Sequence, residues 1–218
     1  MKNHSCNHFP IIFSIVLTTS ACGQIITNGN FESPSISDGT LQATTPSSWN
    51  GGGFLMNPNA GGGFVGNLST WPQAQSGQQY EDIGNIVATA LSQTFTIASS
   101  ATYLFTWYDN TALNLPSQFQ SAPYSISVLD SSQLTVFSNN FNSYHATGAW
   151  ESRTVTPALI PGSYTLKFTS LNVFGGADTL IDNVAITVPE PSALLLASCA
   201  AITLCLRRRS FCTNQRNA

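Results

Sequence analysis

Between residues 24 and 188 the chain offers one histidine, nine carboxylates and a scatter of aromatic side chains for chemistry. The histidine, His145, sits in the polar run NNFNSYHATG, where a surface loop is expected, and no serine is set in a G-x-S-x-G turn. A Ser-His-Asp hydrolase has little to build on. A glycosidase needs two carboxylates across a cleft, for which Glu32, Glu81, Asp109 and Glu151 are the candidates, but nothing in their spacing pairs them. Non-catalytic sugar binding asks for less: an aromatic face for stacking and a few polar groups for orientation. Trp71, in the polar loop LSTWPQAQ, is the best stacking candidate, with Tyr108, Asp109 and Asn110 at a strand end as polar partners. Trp49, Phe105 and Trp107 occupy positions that more often build core.

Other ligand classes fall away. Gly61, Gly63 and Gly66 satisfy G-x-G-x-x-G, but no buried strand precedes them and no helix follows, so a dinucleotide site fails on context. The glycine triplets are expected to let loops take positive φ. Nine acidic residues against only Arg153 and Lys167 give residues 24–188 a net charge of −7, which excludes nucleic acid as a partner. All five cysteines (Cys6, Cys22, Cys199, Cys205, Cys212) lie nearer the ends. The segment between therefore folds without a disulfide or a thiolate metal site.

Strands must position these residues. In SYTLKFTS, Tyr164, Leu166 and Phe168 alternate with polar neighbours, and YSISVL repeats the pattern with Tyr124, Ile126 and Val128. Similar runs at 91–97, 102–108, 133–138, 151–156 and 179–187 are separated by Gly, Pro, Asn and Ser clusters, and no amphipathic helix interrupts them. This predicts an all-β, antiparallel sandwich. Residues 51–77 read as irregular. By alternation Asp182 shares a face with Leu180, Val184 and Ile186, which predicts an inward carboxylate, expensive if unpaired.

The ends are different material. Lys2, the apolar run 9–17 and the small residues Ala21 and Gly23 form a signal peptide over 1–23, with cleavage expected after Gly23. Acylation at Cys22 is the weaker reading, because Thr19 stands where a bulky aliphatic residue is expected. After the 24–188 domain, Pro189-Glu190-Pro191 precedes an apolar stretch at 192–206, about 22 Å long as a helix, which is short for a bilayer core of ~30 Å. Arg207, Arg208 and Arg209 would hold its end on the cytoplasmic side, ahead of a polar tail over 210–218.

Together ITNGNFESP, PSSWNGGG, GQQYEDIGN before LSQTFTI, and DTLIDNVAIT resemble the galactose-binding-like jelly roll of carbohydrate-binding modules. That resemblance implies a jelly-roll β-sandwich and a structural calcium ion held by Glu32 and Asp182, an oxygen donor set that calcium prefers. The order PEP, apolar run, RRR over 189–209 resembles the PEP-CTERM sorting signal, although this chain continues beyond the arginines for longer than is usual. It implies an exosortase-type processing protease as partner, transient inner-membrane anchoring through the C-terminal helix, and a final place at the cell surface or in an extracellular polysaccharide matrix. The expected function is a non-catalytic, exopolysaccharide-associated surface protein. The alternatives are a structural or adhesive sandwich without a glycan ligand, and a secreted glycan-active enzyme.

Overall fold

The computed structural model describes residues 25–58, 71–84, 89–111, 121–145, 148–171 and 178–188. Gly61, Gly63 and Gly66, the signal peptide, Pro189-Glu190-Pro191, the span at 192–206 and Arg207–Arg209 lie outside them. Among the described residues no helix is long and apolar enough to cross a membrane.

The described residues form thirteen strands, in order β1 (Thr40–Gln42), β2 (Asn50–Gly51), β3 (Phe54–Asn57), β4 (Tyr80–Asp82), β5 (Ala90–Ile97), β6 (Ala101–Thr102), β7 (Leu104–Asn110), β8 (Pro123–Asp130), β9 (Thr135–Asn142), β10 (Glu151–Val155), β11 (Ala158–Leu159), β12 (Gly162–Ser170) and β13 (Leu180–Thr187). One sheet has the order β1-β3-β4-β13-β7-β10 and the other β2-β5-β12-β8-β9, with a small β11-β6 pair beside them. The pairings are antiparallel. From β4 onward the chain passes back and forth between the two large sheets, as a jelly-roll sandwich requires.

Of the seven alternating runs, those of β5, β7, β8 and β12 bury every second residue, whereas β9 and β10 are largely exposed. Tyr124, Ile126 and Val128 of β8 and Leu166 and Phe168 of β12 are fully enclosed, facing Phe105 and Trp107 of β7. Trp49 is also in this core, stacked at a tilt 5.3 Å from Phe31. Within the stretch expected to be irregular, β2 pairs with β5 and β3 with β1 and β4, on either side of Gly52; Gly51 and Gly52 are both at positive φ (77° and 93°). Gly52 is obligatory: a Cβ there would lie 2.1 Å from Oε1 of the buried Glu81.

The last strand departs from simple alternation. Ile181, Val184 and Ile186 face the core, whereas Leu180 belongs to a second apolar cluster on the outer side of the six-stranded sheet. A register shift between Asp182 and Ala185, with Asn183 at φ 51°, inserts the extra residue. Asp182 therefore shares a face with Leu180 but not with Val184 and Ile186, and it points away from the main core.

Candidate functional site

The outer side of the six-stranded sheet is built in two rows. Cα partners align Leu41 with Met56, Met56 with Tyr80, Asp182 with Tyr108, and Tyr108 with Ser152; the β4–β13 register sets Tyr80 next to Asp182. The neighbouring row runs Phe54, Asp82, Leu180, Asn110. Trp150 extends it, standing just before Glu151, which pairs with Asp109. Met56, Tyr80 and Leu180 form a buried patch, and half-buried Phe54, Trp71, Ala74 and Trp150 pack onto it. The Tyr80 and Trp150 rings meet edge to face at 5.4 Å. Trp71 thus lies on an apolar platform, with a second indole, Trp150, on the same platform.

A strap, residues 71–79, crosses this face and is pinned by two carboxylates. Backbone N–H groups of Gln75 and Ser76 donate to Oδ2 of Asp182, each at 2.9 Å, and those of Gln78 and Gln79 donate to Oε1 of Glu32, each at 2.8 Å. Gly77 between them has φ 71°, and a Cβ on it would come within 2.3 Å of Oε1 of Glu32. The Trp150 indole N–H donates to the Gln73 carbonyl at 2.6 Å. Burial pushes the Asp182 carboxyl up to about 7, opposed by the N–H groups of Ser76, Asn183 and Gln75 and reinforced by the charge of Glu32.

Glu32 and Asp182 thus meet at one corner, as the resemblance implies, but their oxygens are largely committed. Oε1 of Glu32 and Oδ2 of Asp182 each accept two N–H groups, and Oδ1 of Asp182 accepts a third from Asn183 at 2.6 Å. Oε2 of Glu32 and one side of Oδ1 of Asp182 remain as carboxylate acceptors, and an ion taking roughly six to eight oxygens would need backbone carbonyls and waters besides. Among the described residues no group of three or more His, Cys, Asp or Glu is placed to hold a metal ion. As arranged, the corner holds a loop.

Beneath the platform lies a second acidic group. Burial, then the nearby Asp178, holds the Asp82 carboxyl well above the usual carboxylate range, and burial raises Asp178 to about 6. Oδ1 of Asp82 accepts the Gly84 N–H at 2.7 Å. The Tyr80 hydroxyl, fully enclosed and without a hydrogen-bond partner among the described residues, is raised by burial and then by Asp82, Asp182 and Asp178.

The strand end Tyr108-Asp109-Asn110 divides between two faces. Tyr108 is half-buried on the platform side. The carboxylate of Asp109 is fully enclosed on the inner side, where it receives the Tyr124 hydroxyl at 2.6 Å, Nε of Arg153 at 2.9 Å and Nε2 of His145 at 2.7 Å. Glu151 completes a closed ring, 2.8 Å from Nδ1 of His145 and 3.0 Å from Nη1 of Arg153. His145 is therefore no surface loop residue: its side chain is only 9% exposed, because both ring nitrogens are held by carboxylates. Asn110 is buried too, its Nδ2 donating to the Gly148 carbonyl at 3.2 Å. Asp109 and Asn110 hold the loop that delivers Trp150, while Tyr108 lies on the platform itself. Sequence reasoning missed Trp150; the signal was an indole directly after Gly148-Ala149 at the entry to an alternating strand.

No family model matches the sequence, and no curated protein matches it either. Solved structures do. The module TmCBM61, in complex with β-1,4-galactotriose, superposes with a TM-score of 0.52 at 12% identity, covering 77% of this chain and 99% of that one. A CBM4 structure gives 0.46 at 17% identity, covering 75% and 99%, and the CBM22-1 xylan-binding domain from Paenibacillus barcinonensis Xyn10C gives 0.45 at 16%, covering 77% and 96%. The likeness to TmCBM61 is one of fold: the chain is an all-β, antiparallel jelly-roll sandwich of the kind seen in that carbohydrate-binding module.

Proposed function

We propose that this protein is a non-catalytic carbohydrate-binding protein whose site is the outer face of the six-stranded sheet. The observation that carries the reading is the pair of half-buried indoles, Trp71 and Trp150, on one apolar platform beside Tyr108. Pyranose rings present C–H faces that stack on such side chains, and their hydroxyls need a few polar groups at the rim. Tyr108 and the exposed Ser152 supply those, with Asp109 and Asn110 acting from behind. A glycosidase reading loses its carboxylate pair: Glu81 and Asp109 are enclosed on the core side, Glu32 holds the strap, and Glu151 closes the ring. Export through residues 1–23, sorting through Pro189-Glu190-Pro191 and Arg207–Arg209 by an exosortase-type protease, and a final place at the cell surface or in the matrix belong to the same proposal.

Affinity electrophoresis and titration calorimetry against a panel of polysaccharides test the binding, with the β-1,4-galactan type of chain seen in TmCBM61 tried first. Binding to at least one glycan, lost in Trp150→Ala, is expected. A folded protein that binds none of them leaves the structural or adhesive sandwich in its place. For the sorting step, the intact mass of the mature protein should lack Arg207–Arg209.

A further inference from the structure

Resting on that reading, we infer that the outer face selects uncharged glycans and rejects chains that carry carboxylate or sulfate groups. Residues 24–188 contain Arg153 and Lys167 and no other Lys or Arg, so the segments within that range that lie outside the described residues add none; Lys2, Arg207–Arg209 and Arg216 belong to the two ends. Recognition of a uronate or a sulfate relies on charge-assisted donors, above all guanidinium or ammonium groups.

Neither cation is available to the platform. Arg153 lies across from Trp107 on the inner side of its strand, with Nε on Asp109, Nη1 on Glu151 and Nη2 on the Asn142 carbonyl at 2.9 Å. Moving it to a ligand would leave the enclosed Asp109 without its partner. Lys167 lies on β12 between the enclosed Leu166 and Phe168, so it points outward from the other sheet, on the far side of the sandwich. Two sheets packed about 10 Å apart put it roughly a Debye length or more from the platform.

What the platform does hold is acid. Asp82, Asp178 and Asp182 cluster around the Tyr80 hydroxyl, and no cation lies among the groups acting on them. A polyanionic chain laid across Trp71 and Trp150 would lose its hydration and gain no counter-charge, on a domain whose net charge is negative. An uncharged chain meets only the aromatic faces and the polar rim.

The test uses the full-length protein and β-1,4-linked glucan, mannan and galactan oligosaccharides, each paired with its counterpart oxidised to the carboxylate at C6. Binding is read by calorimetry at about 0.02 M and about 0.5 M salt. The neutral member of a pair should bind at least about tenfold more tightly at low salt, with the gap narrowing as salt screens the repulsion. Ser152→Lys, which adds a cation beside Tyr108, should narrow it further. An oxidised chain that binds as tightly as its neutral partner, or more tightly, overturns the inference and leaves the carbohydrate reading standing. If neither member of any pair binds, the carbohydrate reading itself falls and this selectivity with it.

Discussion

Tyr108 and Asp182 stand opposite each other across the β7–β13 pairing, both on the outer side of the six-stranded sheet. One is half-open to solvent, and the other is sealed beneath the strap whose N–H groups it accepts. The strap also carries Trp71, so the anchor of the loop and the stacking face are one structural unit.

Asp182→Asn should loosen that unit. The amide keeps the shape but turns an NH2 donor toward backbone N–H groups of Gln75, Ser76 and Asn183 that the carboxyl oxygens accept. A loss of about 1–3 kcal/mol is expected in urea unfolding, with weaker glycan binding beyond what the unfolded fraction explains. Unchanged stability and affinity would detach Asp182 from the strap.

Calcium is the second test of the same corner. With five N–H bonds already on the Glu32 and Asp182 oxygens, protein treated with a chelator and protein supplied with calcium should melt at the same temperature. A higher melting temperature with calcium, lost in Asp182→Ala, would mean that the corner rearranges to take the ion.

Acidification should stabilise the fold. Glu81 is pushed up to about 8, Asp182 to about 7 and Asp178 to about 6, in each case mainly by burial. These groups keep protons that the unfolded chain releases, so the unfolded state binds fewer protons and stability falls as pH rises. The contribution is fully present below the unfolded values near 4 and is lost as pH rises through 6 to 8. Unfolding free energy should therefore be higher at pH 5 than at pH 8, and Glu81→Gln should flatten the difference by removing the group with the highest of these values. A profile that rises toward pH 8 would contradict the assignment.

The closed ring gives a further mutation. Asp109→Ala removes the partner of both His145 and Arg153 and leaves the Tyr124 hydroxyl, which donates to that carboxylate and accepts from Trp107 at 2.8 Å, without its acceptor. Breaking a buried pair of this kind costs about 3–5 kcal/mol. The melting temperature should drop sharply, and a surface-like change of a few tenths of a kcal/mol would show that the ring is not a unit.

The core strands β5, β7, β8 and β12 were legible because each enforces its own period of two, as in Tyr164, Leu166 and Phe168. The jelly-roll closure was legible only through the resemblance, since β1 to β4 are short and owe their existence to partners far along the chain, such as Glu81 opposite Ile181. Two local errors have one cause each. Asn183 takes a left-handed conformation that alternation does not anticipate, which moved Asp182 to the other face relative to Val184. His145 reads as polar and exposed because its partners lie 36 residues before it and six after it, and no local pattern links them. Of the proposed site, Trp71 and Tyr108 stood out by context, whereas Trp150 joins them only once β10 pairs with β7.

The last prediction separates the two indoles. Trp150 touches the Tyr80 ring edge to face and donates to the Gln73 carbonyl, so its truncation affects both the platform and the strap. Trp71 enters from the strap and packs on the same patch. A stacking residue at the centre of a binding face is worth about 2 kcal/mol or more, which corresponds to roughly thirtyfold in affinity. Trp71→Ala and Trp150→Ala should each lower glycan affinity by about that factor, and Trp150→Phe should recover most of it, because a phenyl ring still stacks although it cannot donate to Gln73. A merely structural role would show the opposite split: Trp150→Phe would lose stability with the strap bond, and affinity measured on the folded fraction would stay at the wild-type value in all three variants. That second pattern would remove Trp71 and Trp150 from the site.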